Sequence, residues 1–119
     1  AAVDRALGDR AGIRRYGWAY APMDDALSRA VVDLGGRPFL VYTPAGGRRR
    51  VGSFDLGLIR EFFQAFCVQA KANLHAVQLY GREPHHACES LFKALALALR
   101  AAVSRDSREK SVPSSKGIL

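Results

Sequence analysis

Apolar positions alternate with polar or small ones over much of the first part of the chain, then recur at every third or fourth residue in two later stretches. The chain therefore reads as strands followed by a mixture of helix and strand. Over Ile13 to Ala21, the aromatic residues Tyr16, Trp18 and Tyr20 alternate with small partners, which predicts a half-buried strand. Leu27 to Leu34 and Phe39 to Thr43 predict two more strands, with Gly35-Gly36-Arg37 between them as the turn of a hairpin. The period then changes. Ile59, Phe62, Phe63, Phe66 and Ala70 recur at helical spacing within Leu58 to Ala70. Leu74 to Tyr80, closed by Gly81, predicts a fourth strand, and Pro84 suits the first position of a long apolar helix. The order β-β-β-α-β-α implies an α+β fold: a four-stranded antiparallel or mixed sheet with two helices on one face. Ala1 to Leu7, followed by Gly8, has the form of a helix tail and its C-terminal glycine, as though a longer element began upstream. Gly12 and Gly17 mark turns or bends. The polar, charged run Ser104 to Lys110 reads as a linker or frayed end.

The last helix carries two chemical faces. At about 100° per residue, Cys88, Leu91, Leu95, Leu99 and Ala102 form one stripe, with Phe92 at its edge. His85, His86, Glu89 and Lys93 occupy the adjoining arc. His85 and Glu89 are i,i+4 neighbours and His86 and Glu89 are i,i+3, so two imidazoles and a carboxylate project from nearby azimuths. Such a donor set suits Mn, Fe, Ni or Zn better than a calcium cage or a thiolate site. In the first helical turn the dipole disfavours imidazolium, so the rings are expected to be neutral and able to bind metal. The plainer alternative is a pair of surface histidines at a helix start. Lys93, two turns from His85, is either a solvated lysine or the holder of an anionic group. The third histidine, His75, lies near the start of the fourth strand, whereas His85 and His86 follow its end. Five or six strand residues span roughly 16–20 Å, so His75 cannot share a metal with those two in its own chain unless the strand bends sharply. Either its partner comes from elsewhere or it is a strand histidine packed among Val77 and Leu79.

A length of 119 residues suits one modest domain with a single core. With 18 Lys and Arg against 11 Asp and Glu, the formal charge is +7, but the basic residues are dispersed. Only Arg48-Arg49-Arg50 forms a block, expected on an exposed loop after Pro44-Ala45-Gly46-Gly47. Aromatic and basic residues do not interleave as on a stacking platform, which argues against a nucleic-acid partner and leaves a basic RNA-binding domain as the weaker alternative. The charge also suits a small phosphorylated substrate. No apolar run approaches the roughly 20 residues of a membrane span, and no signal-peptide pattern is visible. Cys67 and Cys88 fall within apolar helical patterns and read as two buried thiols, which points to a reducing, cytoplasmic compartment.

Several segments, in order, carry a resemblance. They are Ala6-Leu7-Gly8-Asp9-Arg10, Gly12-Ile13-Arg14-Arg15-Tyr16-Gly17, Pro22-Met23-Asp24-Asp25-Ala26-Leu27, and Asp33 with Gly36-Arg37-Pro38. They continue with Glu61-Phe62-Phe63, Leu74-His75, Gly81 with His85-His86 and Glu89, Phe92-Lys93-Ala94, and Val112-Pro113-Ser114-Ser115-Lys116-Gly117. Together they resemble the C-terminal half of imidazoleglycerol-phosphate dehydratases, lyases of histidine biosynthesis. The resemblance implies the second of two β-β-β-α-β-α family repeats, a fold like the second domain of a small-subunit ribosomal protein. Residues 1–12 would be the tail of the preceding repeat's last helix, 13–103 the second repeat, and 104–119 a substrate-binding tail. It implies elimination of water from D-erythro-imidazoleglycerol phosphate to give imidazoleacetol phosphate, at two-manganese sites shared between subunits of a homo-oligomer of twenty-four chains. By matching position, His75, His85, His86 and Glu89 would be metal ligands. Arg15, Arg37, Lys93, Ser114, Ser115 and Lys116 would contact substrate. The family's catalytic glutamate lies near its N-terminus, and no catalytic group is assigned in this chain. Glu83 stands where the family usually has Asn, and Leu97 where Arg is common. The other class of function open to such a chain is a non-catalytic half-enzyme or assembly module.

Overall fold

The computed structural model describes residues 1–46 and 50–119, so Arg48 and Arg49 of the basic block lie outside the described residues. The elements are α1 (Ala2–Leu7), β1 (Tyr16–Met23), β2 (Ala26–Asp33), β3 (Phe39–Thr43), β4 (Arg50–Val51), β5 (Phe54–Asp55), α2 (Gly57–Ala70), β6 (Asn73–Tyr80) and α3 (Pro84–Val103). Strand order in the main sheet is β1-β2-β6-β3. β2 runs antiparallel to both β1 and β6, and β3 runs parallel to β6 at the edge.

The expected β2–β3 hairpin does not form, because β6 lies between the two strands. A parallel strand needs a crossover connection. Here the crossover from β3 to β6 runs through the short β4–β5 hairpin, which the pattern did not predict, and α2. The turn residues Gly35-Gly36-Arg37 carry the chain past β6 to the far edge of the sheet.

Strand alternation decides which side faces the core. Ala26, Ser28, Ala30 and Val32 of β2 and Leu74, Ala76 and Gln78 of β6 point inward. Against them pack Ile59, Phe63, Cys67 and Ala70 of α2 and Leu91, Ala94, Leu95, Ala98 and Ala102 of α3. Phe63 meets Phe92 with ring centroids 5.4 Å apart, so both helices share one face of the sheet. The buried stripe of α3 is rotated from the expected one. Small residues, Ala87, Ser90, Ala94 and Ala98, sit against the sheet, while Leu99 and Cys88 are only partly buried. The reason is close approach: a Cβ on Gly17 would lie 1.9 Å from the Ala98 carbonyl oxygen. Of the two cysteines, only Cys67 is fully buried.

The polar run after α3 is not a frayed end. Arg14 N–H donates to Ser104 O (2.9 Å), Asp106 N–H to Gly12 O (2.9 Å) and Gly12 N–H to Ser111 O (3.0 Å). Arg10, buried and held at φ +62°, ties α1 to the core by donating to Leu34 O (2.6 Å) and Ala70 O (2.8 Å) and pairing with Asp4 (2.7 Å).

Candidate functional site

The helix start that carries the histidine pair is built by carboxylates from outside it. Pro84 opens α3, and the Glu83 side chain accepts from His86 N–H at 2.9 Å as an N-cap. Asp25, in the β1–β2 turn, accepts from the backbone N–H of Arg82 (2.7 Å) and of Glu83 (3.1 Å). Its other oxygen lies 2.8 Å from His86 Nδ1. These contacts hold the Asp25 carboxyl down at about 2, the His86 bond contributing most and the two backbone donors next. Because Asp25 is ionised, Nδ1 carries the hydrogen and donates, leaving Nε2 as the free coordinating atom of the neutral ring. That Nε2 lies 3.3 Å from an Asp24 carboxylate oxygen. Beside it, His85 Nε2 lies 3.1 Å from Glu89, and the opposite Glu89 oxygen pairs with Lys93 Nζ at 2.8 Å. Lys93 holds the Glu89 carboxyl below its ordinary value, with His85 adding to the effect.

One expectation reverses here. The helix dipole does not set the protonation tendency of His86, whose pKa is raised above the usual histidine value. The hydrogen bond to Asp25 is the main cause, followed by the nearby charges of Asp24 and Glu83. A full carboxylate in contact outweighs the half-charge of a helix end. Metal at Nε2 would therefore compete with a proton held there by Asp24.

The remaining candidates gather at the opposite end of β6. His75 is exposed on the outer sheet face, in register with Val31 of β2 and Val41 of β3. It shares a cleft with Asp33, Arg37 and Asn73. Arg15 forks onto Asp33 (2.7 and 3.2 Å) and donates from Nη1 to Pro113 O at 2.9 Å. This anchors the C-terminal tail beside the Gly35–Arg37 turn. The Leu119 carboxyl carbon would lie only 2.6 Å from a Cβ on Gly36. Within the tail, Ser114 Oγ accepts from Lys116 N–H (3.2 Å) and Ser114 O from Gly117 N–H (3.0 Å), so Ser114, Ser115 and Lys116 lie on a tight turn. Arg15 thus serves first to position the tail. Five residues of strand separate His75 from Tyr80, roughly 16 Å, and the structure does not bring His75 to His85 and His86.

A family model described as imidazoleglycerol-phosphate dehydratase matches residues 1–99. The chain belongs to the imidazoleglycerol-phosphate dehydratase family. It is 55% identical over 119 residues to the imidazoleglycerol-phosphate dehydratase of Aromatoleum aromaticum, covering 99% of this chain and 61% of that protein. It is 50% identical over 115 residues to that of Lacticaseibacillus casei, covering 97% and 59%. Among solved structures, the Staphylococcus aureus dehydratase superposes with a TM-score of 0.83 at 36% identity, over 87% of this chain and 61% of that one. The Pyrococcus furiosus dehydratase superposes with a TM-score of 0.85 at 33% identity, over 99% and 64%. The chain therefore spans about three-fifths of the length of these dehydratases.

The donor chemistry at α3 is of a kind that can hold a divalent transition metal. His85 with Glu89, and His86 with Asp24, are two imidazole–carboxylate pairs of the borderline-hard type manganese accepts. Neither is complete. Among the described residues, no group of three His, Cys, Asp or Glu side chains is placed to hold one ion. Asp24 and Asp25 were missed as site residues. Paired carboxylates after Pro22-Met23 between two alternating runs were a visible signal of a charged turn, but the helix that the turn faces is a tertiary fact.

Proposed function

We propose that this chain is the second repeat of an imidazoleglycerol-phosphate dehydratase and supplies part of a shared active site. The reaction is loss of water from D-erythro-imidazoleglycerol phosphate to give imidazoleacetol phosphate, a step of cytoplasmic histidine biosynthesis. The observation that carries this reading is the pairing of His85 with Glu89 and His86 with Asp24 at one helix start. Within the proposal, residues 13–103 form the repeat, 1–12 continue the preceding repeat's helix, and 104–119 are the substrate tail.

His85, His86 and Glu89, with Asp24 beside them, would hold manganese from one chain, and His75 would serve a metal completed by another. Bound metal would supply Lewis-acid stabilisation of charge developing on the substrate imidazole. The protein's own residues do the positioning. Asp25 fixes the His86 tautomer and ring plane, as an outer carboxylate does for a ligating histidine. Lys93 holds Glu89 ionised and turned toward His85. Arg37, with the Ser114–Lys116 turn that Arg15 anchors, offers a guanidinium fork, hydroxyls and an ammonium to the phosphate. Ligands split between the two ends of β6 require copies to meet, which favours a homo-oligomer, the family's twenty-four-chain assembly being the natural candidate.

The test is to assay the purified chain for imidazoleacetol phosphate formation with manganese, alone and with a separately expressed N-terminal segment of a full-length relative. Activity should be weak or absent alone and recovered on mixing. If mixing restores metal binding and assembly but no turnover, the chain is the non-catalytic module instead.

A further inference from the structure

On the far side of the first turns of α3 from His85 and Glu89, a cavity of about 450 Å³ opens between α2, α3 and the ends of β3 and β6. Its walls are mixed: Tyr42, Ile59 and Leu91 supply apolar surface, and Cys88 borders the same space. One buried polar group there is unexplained. Gln78 is 92% buried, its Oε1 accepts from Ala45 N–H at 3.2 Å, and its Nε2 has no partner among the described residues. The amide cannot simply be turned over, because Nε2 would then confront a backbone donor. The carboxamide is therefore locked with its N–H groups free, and a buried donor without an acceptor is a defect native proteins rarely keep. Gly81 borders the amide at φ +149°, where a Cβ would stand 2.8 Å from Ala26 Cβ and 3.3 Å from Nε2.

The charge around the cavity has one sign in excess. Arg60, Arg82 and Asp55 line it, and the Asp55 carboxylate is already accepting from Gly57 N–H at 2.8 Å. The N-terminal turns of α2 and α3 both border the space, adding partial positive charge. The volume lies within the usual range for small-molecule sites, roughly 300–1,000 Å³.

We propose that this cavity is a binding site for a small organic carboxylate with a flat or branched apolar body. One carboxylate oxygen takes the Gln78 Nε2 hydrogen bond, the charge faces Arg82 and Arg60, and the body lies on Tyr42, Ile59 and Leu91. The site is independent of the dehydratase reading, since none of its groups is a candidate metal ligand.

The test is a titration of the isotope-labelled full chain with benzoate, followed by NMR, with benzyl alcohol and inorganic phosphate as parallel probes. Benzoate should bind saturably and shift the amides of Ala45, Gln78 and Cys88. Benzyl alcohol and phosphate should bind at least tenfold more weakly. Gln78→Leu should weaken benzoate about tenfold, and Gln78→Glu should abolish binding by placing a like charge at the acceptor. Cys88→Phe should also abolish it by filling the space. Folding of each variant is read from the same spectra, and the three variants act by different means. Saturable shifts confined to residues outside the cavity, phosphate binding as tightly as benzoate, or unchanged affinity in the folded Gln78 variants would each overturn the proposal.

Discussion

Gly17→Ala is the smallest change that should damage this fold most. Gly17 sits in β1 directly under α3, where an added Cβ would stand 1.9 Å from Ala98 O, 2.7 Å from Ala102 N and 3.0 Å from Ala98 C. All three are backbone atoms of α3, so no side chain can rotate away. To restore an ordinary contact of about 3.4 Å, the helix must retreat by about 1.5 Å at its middle. A gap of 0.5–1 Å already forfeits roughly a quarter to a half of the dispersion energy across a contact. The residues losing it are Ala94, Leu95, Ala98 and Ala102, the stripe that seats α3 on β1 and β2. Overpacking typically costs about 1–3 kcal/mol, and here the clash is with two fixed backbones, so the expected loss is at least about 3 kcal/mol. The entropic benefit of replacing glycine, roughly 0.4–1 kcal/mol, offsets only part of it. Urea unfolding of the whole chain, followed by far-UV circular dichroism, measures the difference. Gly46→Ala is the control, since a Cβ there meets nothing within 4 Å among the described residues, and it should fall within about 0.5 kcal/mol of the parent. A Gly17→Ala loss below about 1 kcal/mol, or equal to the control, would refute the close-approach account.

The other predictions follow from buried or shared groups. Burial pushes the Cys67 thiol up to about 11 from 9.0; the folded state therefore favours the neutral thiol, and its contribution is fully present below pH 9 and lost as pH rises through about 11. Chemical unfolding across that window should lose roughly 2–3 kcal/mol that a Cys67→Ser variant does not lose, and Cys88 should alkylate before Cys67. Arg10→Met leaves Leu34 O and Ala70 O buried without their donor, so thermal unfolding should show a loss of about 2–5 kcal/mol. His86→Ala should lower manganese content by metal analysis in the assembled protein while leaving urea unfolding nearly unchanged, because the ring lies outside the buried α3 stripe. Lys116→Met should weaken a phosphate-bearing inhibitor about ten- to hundredfold and its dephosphorylated form hardly at all, with metal content unaltered; equal weakening of both would assign the tail to assembly instead.

How far the chain could be read depended on the range of the interaction involved. Strand alternation and the helical recurrence of Ile59, Phe63 and Ala70 are local; β2, β3, α2 and β6 appear within a residue of expectation, while β1 is shifted from Ile13–Ala21 to Tyr16–Met23. The β2–β3 hairpin was misread because two glycines between strands mark a turn without naming the strand that follows next in space. Pairing β3 with β6 depends on α2 folding back over the sheet. The expected α3 stripe holds at Leu91, Leu95 and Ala102 but not at Cys88 and Leu99, for a related reason. Hydrophobicity favours Leu99 and Cys88 as the buried face, but proximity to Gly17 selects alanines.

The candidate site divides along the same line. Adjacent histidines and a carboxylate one helical turn away are local, so His85, His86 and Glu89 were legible, as was the remoteness of His75. Asp24 and Asp25 reach the helix across 61 residues of chain for the Asp25–His86 bond, and nothing in the spacing announces that. Their arrival changes the chemistry, not only the contact list. A helix end alone would keep His86 neutral, whereas a hairpin carboxylate on Nδ1 makes the ring a better base and directs its Nε2 lone pair outward. That basicity favours metal and proton alike at the same atom. If the proposed metal binds there, it would have to displace that proton, and it would need donors beyond the two pairs described. Within the proposed reading, the separation of His75 from His85 and His86 along β6 is the arrangement that a site built between copies would need.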